Sequence, residues 1–402
     1  MKKHLVILCD GMADYENENG LTPMKEAKKP FMDMLAKYGE VGLCQTVPEG
    51  MKPGSDVANL SVIGYDPLVC YTGRSPLEAL SIGIDMQDDD ISYRANLVTL
   101  SDEEDFEEKT MVDYSSGEIS TAEAKELIGY LKQILDEEGR TLYSGVSYRH
   151  CLVKNNAEEG AILTPPHDIT GKKIKDYLPK GKNSKELIAL IMRSYELLKN
   201  HPINLKRIAK GKNPASALWT WGEGRKPALE SMQEKYGVNG AMISAVDLLK
   251  GIAIGAKMDS IDVEGATGNL HTNFDGKAQA GIEALKTHDY VYIHLEAPDE
   301  CGHQGDYVGK VRSLEIIDEK IIAPLYNFLQ ESGWDFNILI CPDHATPIEK
   351  MTHVSDPVPY LLYEKERNVS SKIEQFNEES AKSTGVLLGK GTDLMKKLLG
   401  LF

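Results

Sequence analysis

The chain is short of several things that would assign it quickly. Its six cysteines (Cys9, Cys44, Cys70, Cys151, Cys301 and Cys341) are scattered singly over 402 residues, with no CxxC pair. That spacing speaks against both a zinc ribbon and a disulfide framework. Positive charge is scarce as well, with 45 Lys and Arg against 62 Asp and Glu for a net charge of −17. Sequence-independent nucleic-acid binding draws on clustered cations that release counterions, so no nucleic-acid partner is expected. No apolar run approaches the ~20 residues of a membrane-spanning helix. The opening MKKHLVILCD has a basic start, but its apolar stretch stops after five residues at Asp10, too short for a signal peptide. A cytoplasmic protein without a membrane partner is the expectation. Also missing are internal repeats, low-complexity tracts and a strand-linked GxGxxG, and the GKGTD near the carboxyl terminus lacks the spacing of a phosphate-binding P-loop.

What is present is ordinary core material, 41% hydrophobic and 27% charged, in a length that suits two domains. The stretch FNILICPDHATPIEKMTH, residues 336–353, organises the reading. Phe336, Ile338 and Ile340 alternate as in a buried strand that ends on Asp343 and His344, and His353 follows a polar turn. Side chains at the carboxyl ends of strands in an open α/β sheet project into the crevice where ligands bind. Adjacent Asp and His point to different sides of the chain, so they suit two neighbouring metal ions, or one metal and a substrate. Leu5–Cys9 repeats the pattern, a continuous apolar run closed by Asp10. In DYVYIHL, residues 289–295, a third strand opens onto Asp299 and His303, whose spacing of four lets both face one ion if a helix continues through Ser313 to Ile321.

Between these strands, Pro30 to Tyr38 carries apolar residues at helical spacing. In PGSDVANLSVIGYDP, residues 53–67, Val57, Leu60 and Ile63 mark a helix face, which puts Ser55 at or just before a helix N-terminus. Exposed N–H groups and the helix dipole favour a phosphate or an alkoxide there, although serine is also an ordinary N-cap. Arg74 falls on a Gly-flanked turn before a short helix, and Arg94 in a strand-like YRANLVTL. From Ser101 the texture changes to an acidic run, followed by helix patterns at 122–135 and 184–198, a strand expected over 145–153 that holds Arg149 and His150, and a turn holding His167 and Asp168. Residues 95–210 are therefore expected to form an inserted domain, with 1–94 and 211–402 as the two parts of an α/β core.

Asp10, Ser55, Asp299, His303, Asp343, His344 and His353 are the oxygen and imidazole ligands that suit manganese, zinc or magnesium, with no thiolate among them. Each has a bland reading alone, but seven matches in one order do not. The set resembles the two-metal site of the alkaline phosphatase superfamily. PGSDVANLSVIGYDP, YTGRSPLEA, GVSYRH, PDHATP and DECGH together resemble, over nearly the whole chain, the shorter archaeal-type branch of the cofactor-independent phosphoglycerate mutases. The resemblance implies a three-layer α/β core with a mainly parallel sheet, interrupted by a smaller α+β cap that grips a small phosphorylated substrate. It implies two divalent metal ions, one on Asp10, Ser55, Asp343 and His344 and the other on Asp299, His303 and His353. It further implies phosphoryl transfer through Ser55 without 2,3-bisphosphoglycerate, the glycerate being held by Arg74, Arg94, Arg149, His150, His167 and Asp168. One departure is Asn59, where many relatives have a histidine. It bears on the substrate, and a homoserine kinase-like phosphotransferase or a related phosphohydrolase on the same fold is the alternative. Oligomeric state is not legible.

Overall fold

The computed structural model describes residues 2–367 and 370–402. The chain forms two units, Met1–Tyr71 with Ala228–Phe402, and Thr72–Pro227. The insertion is therefore wider at both ends than the expected 95–210. Strand Ile91–Leu100 pairs with Arg149–Lys154 on one side and Ala217–Arg225 on the other, and helix Arg74–Ser81 packs on that sheet. Chain that reads as core on composition is thus drawn into the inserted unit by its strand pairing. The acidic run after Leu100 is a loop inside the unit, not its start.

The first unit is built on an eight-stranded sheet. Its order is Asp259–Ile261, Gly240–Ile243, Tyr290–Leu295, Lys3–Cys9, Phe336–Cys341, Val358–Glu364, Glu40–Cys44 and Leu387–Leu388. All neighbours are parallel except Val358–Glu364, which is antiparallel to both of its own. The three central strands are buried at every residue, as expected where helices cover both faces and the strands read as unbroken apolar runs. On one face Leu5, Ile7, Ile293 and Ile340 pack with Leu35, Leu285, Leu314 and Leu325 from the helices Pro30–Tyr38, Phe274–Thr287, Tyr307–Ile317 and Ala323–Glu331. The helices Ser55–Ile63, Asp247–Gly255 and Thr392–Leu399 pack on the other strand face and on one another. His4 Nδ1 and Asn337 Nδ2 both donate to the Leu398 carbonyl of that last helix, at 2.9 and 2.7 Å.

In the second unit, helices Thr121–Leu135 and Ser184–Leu198 cover one face of a five-stranded sheet, with Leu127, Leu131 and Leu190 against Tyr93, Ala95 and Leu152. The strand expected over 145–153 begins only at Arg149. Residues 145–148 turn instead, with Ser147 in the left-handed region and the Arg149 N–H donating back to Val146. All six cysteines are buried free thiols, and no described helix is long and apolar enough to cross a membrane.

Candidate metal centre

Register assembles the centre. Leu8 lies beside His294 on one flank and Cys341 on the other, so the residues that follow these strands leave the same edge of the sheet at one level. The loop after Asp10 then passes so close to its neighbours that a Cβ on Gly11 would lie 2.7 Å from both Asp299 Cα and Thr346 Oγ1. With φ at +63°, that position is doubly reserved for glycine.

An inner group forms around Asp343. Its Oδ1 accepts the N–H groups of His344 (2.9 Å) and Gly11 (3.3 Å), and its Oδ2 accepts Asn59 Nδ2 at 2.8 Å. His344 Nε2 lies 3.5 Å from Asp343 Oδ2, 3.6 Å from Asp10 Oδ1 and 3.3 Å from Ser55 Oγ. Ser55 is the first residue of its helix, after Gly54, and its Oγ is also 3.5 Å from Asp10 Oδ2. Asp10, Asp343 and His344 offer ligand atoms that all lie within 4.8 Å of one another.

The outer group stands next to it. Asp299 and His303 sit one turn apart on their own short helix, Ala297–Gln304, which ends at Gly305 rather than running on through Ser313. His303 Nε2 is 3.3 Å from Asp299 Oδ2 and 2.9 Å from His353 Nε2, which in turn is 3.4 Å from Asp299 Oδ1. Thr346 donates to Asp299 Oδ1, and the rings of His344 and His353 stack at 3.9 Å, joining the two groups.

The electrostatics call for cations. Burial, reinforced by Asp343, Asp299 and Glu296, pushes the Asp10 carboxyl well above the usual carboxylate range. Asp10 Oδ1 is buried with no hydrogen-bond partner, and the facing nitrogens of His303 and His353 can share at most one proton. Burial lowers the His344 pKa, leaving the neutral imidazole that binds metal. Three buried carboxylates with imidazoles and no thiol form a donor set that fits two hard or borderline divalent ions.

Several supporting residues escape the sequence reading. His294 Nε2 meets Asp10 Oδ2 at 2.8 Å while its Nδ1 lies 3.2 Å from Ser244 Oγ, and burial drives its pKa down to about 3. Asn59 also donates to the Ser55 carbonyl (2.8 Å) and accepts from Tyr292 Oη (2.5 Å). Alternation in DYVYIHL carried a signal, because Tyr292 and His294 share one strand face and the apolar Val291 and Ile293 the other. Lys310 is wholly buried, its Nζ donating to Asp14 Oδ2 (2.7 Å), the Ala13 carbonyl (3.2 Å) and the Thr346 carbonyl (2.8 Å). It thereby ties the loop after Asp10 to the loop after His344.

The second unit holds the other candidates. Arg94 stacks on Trp221 at 4.0 Å, with its Nε 2.8 Å from Glu78, and Arg74 Nε meets the same carboxylate at 2.9 Å. Burial, with the charges of Arg74 and Arg149, lowers the Arg94 pKa to about 10. His167 packs edge-on against Trp221, with Asp168 3.6 Å away. His150 does not join them. It is buried, its Nδ1 accepts the Gly145 N–H at 3.1 Å, and desolvation drives its pKa to about 3.

The sequence model of the 2,3-bisphosphoglycerate-independent phosphoglycerate mutases matches residues 36–204. A protein of that name from Methanosarcina barkeri is 48% identical to this chain over 98% of each. A probable 2,3-bisphosphoglycerate-independent phosphoglycerate mutase from Geobacter sulfurreducens is 45% identical over 99% of each. Among solved structures, a Pyrococcus horikoshii protein matches with a TM-score of 0.82 and 29% identity, over 100% of this chain and 98% of that one. A cofactor-independent phosphoglycerate mutase from Thermoplasma acidophilum matches with a TM-score of 0.70 and 25% identity over the whole of both chains. This chain belongs to the 2,3-bisphosphoglycerate-independent phosphoglycerate mutases.

Proposed function

We propose that the protein interconverts 3-phosphoglycerate and 2-phosphoglycerate through a phosphoserine at Ser55, with two divalent metal ions and without 2,3-bisphosphoglycerate, as a cytoplasmic enzyme of small phosphorylated molecules. The observation that carries this reading is the place of Ser55 Oγ, at a helix start and 3.3 Å from His344 Nε2 inside the inner ligand group. Full-length relatives named as mutases support it, and they do not favour the homoserine kinase alternative.

One ion is assigned to Asp10, Ser55, Asp343 and His344, the other to Asp299, His303 and His353. When bound, such ions lower the pKa of a coordinated hydroxyl and neutralise phosphoryl oxygens; manganese, zinc and magnesium all accept these donors. The chain supplies the rest. In the first half, the bond from phosphorus to the substrate oxygen breaks as the bond to Ser55 Oγ forms. The serine proton departs and the glycerate oxygen gains one. The second half returns the phosphoryl group to the other hydroxyl with the same accounting, so one nucleophile serves both in-line transfers. The first N–H groups of the Ser55 helix favour the phosphate. Asn59 holds the Ser55 carbonyl and Asp343 in fixed relation but shuttles no proton, since an amide does not titrate near neutrality. Arg74, Arg94 and Arg149, with His167 and Asp168, are assigned to the carboxylate and phosphate of the substrate, because planar guanidinium forks suit both. His150, buried and neutral, is assigned to structure.

The test is to incubate metal-loaded protein with 3-phosphoglycerate, and separately with ATP and homoserine, following phosphorus signals. Appearance of 2-phosphoglycerate without added bisphosphoglycerate, abolished in Ser55→Ala, is the expected result. Free phosphate alone would favour a hydrolase, and phosphohomoserine would overturn the mutase reading.

A further inference from the structure

The two strands that close one side of the first unit's sheet, Glu40–Cys44 and Leu387–Leu388, run parallel. The chain leaving the carboxyl end of each borders a cavity of about 540 Å3. From the second of them, Gly389-Lys390-Gly391-Thr392 leads into the helix Thr392–Leu399, whose start no side chain caps. The Asp393 and Leu394 N–H groups donate to the Lys390 and Gly391 carbonyls at 3.1 Å, which leaves those of Gly391 and Thr392; free N–H groups and the dipole at such a start attract an anion.

Two observations turn this helix start into a built site. Gly391 is held so tightly that a Cβ there would lie 2.6 Å from Ser61 Cβ and 3.0 Å from Thr46 Cα, so only bare backbone fits. Ser61 lines the cavity, is 1% exposed, has its Oγ 3.4 Å from that Cβ position, and makes no side-chain hydrogen bond among the described residues. Buried hydroxyls are rarely left unsatisfied unless something else completes them. Lys390 lines the same cavity and is exposed, with no ion pair among the described residues.

The remaining charges on the wall narrow the ligand. Asp66 lines the cavity, but its Oδ1 is engaged by the Leu68 N–H at 3.0 Å, while Glu49 is exposed on the loop. Carboxylates near a phosphate site disfavour a bare polyanion and suit a molecule whose remaining part carries hydroxyl groups.

We propose that this cavity binds a small hydroxyl-bearing phosphate monoester, with its phosphate on the Gly391–Thr392 helix start, Ser61 Oγ and Lys390. The walls include the loop that leads into Ser55 and Ser355, two residues beyond His353, so the ligand bears on segments of the metal centre without using its ligands. The site does not depend on the mutase reading.

The test pairs location with affinity. Crystals of the full chain are soaked with tungstate, an anomalously scattering phosphate analogue, and the protein is titrated calorimetrically with glycerol 2-phosphate and with orthophosphate. The expected result is a tungstate peak at Gly391 and Ser61, and an isotherm that survives Ser55→Ala but weakens about tenfold or more in Lys390→Glu and Ser61→Val, the scale of losing a hydrogen bond to a charged group. Lys390 is exposed, so its variant reports even if Ser61→Val does not fold. Absence of the peak, a peak with no matching isotherm in solution, or an isotherm indifferent to Lys390→Glu overturns the site. Orthophosphate binding as tightly as the ester overturns the ester assignment.

Discussion

The inner and outer ligand groups use the same residue types in different solvent. The side chains of Asp10, Asp343 and His344 are at most 2% exposed, whereas those of His303 and His353 are 36% and 23% exposed. Burial dominates inside, raising the Asp10 pKa and lowering that of His344. Outside, contact with Asp299 dominates and raises the His303 pKa to about 9. Backbone N–H groups and Asn59 fix the inner group before any ion arrives, while the outer imidazoles contact one another and Asp299. The inner group is thus preorganised around Ser55, while the outer group, held also by the Met351 carbonyl 3.0 Å from His303 Nδ1, is the more accessible half, and on the proposed assignment its ion is expected to exchange more readily.

The comparison can be broken from either side. Ser55→Ala removes the proposed nucleophile and should lower turnover by about 10⁴-fold or more, the scale on which losing a nucleophile acts, with the circular dichroism spectrum unchanged. His303→Ala should weaken binding of one metal equivalent by about 100-fold or more, beyond the usual effect of an outer partner, yet recover turnover as metal is raised. If it stays as inactive as Ser55→Ala at saturating metal, the two groups act as one and the contrast fails. His294→Phe should cost about 10–100-fold in affinity for the other equivalent, read by competition with a chelating dye. Asn59→Ala leaves Asp343 and Tyr292 short of partners and should lower stability by about 1–3 kcal/mol, seen in urea unfolding.

The smallest effect is in pH. His303 in metal-free protein has a folded pKa of about 9 against an unfolded value of 6.5. The folded state therefore holds its proton more tightly, and the stabilisation is complete below pH 6.5 and lost as pH rises to about 9. His303 is half-buried, so the slope is modest. Thermal melts of metal-free protein should show it, and His303→Gln should remove it; an unchanged slope in the variant would assign it to another group.

What was legible in the chain was local. Strand ends closed by Asp10 and Asp343, the helix start at Ser55 and the Asp299 and His303 spacing depend on period and neighbours, and the structure sets them side by side. The helices at 30–38 and 184–198 have the bounds their apolar spacing suggests. Long-range pairing was not legible. Ile91–Leu100 joins the inserted unit only because distant strands pair with it. His150 reads like its neighbour Arg149, but strand alternation turns it inward. The partners of His294 and Lys310 lie 284 and 296 residues away in sequence, beyond the reach of any local pattern.

Lys310 also sets an order in time. A buried ammonium needs all of its acceptors, and these come from residues 13, 14 and 346. During synthesis, which proceeds at about 5–20 residues per second, Asp10 and Ser55 emerge long before Asp343 and His344. The lysine cannot lock the two loops together until synthesis has passed Thr346, within the last sixth of the chain. A nascent fragment therefore carries Asp10 and Ser55 without Asp343, His344 and the lysine tie between their loops.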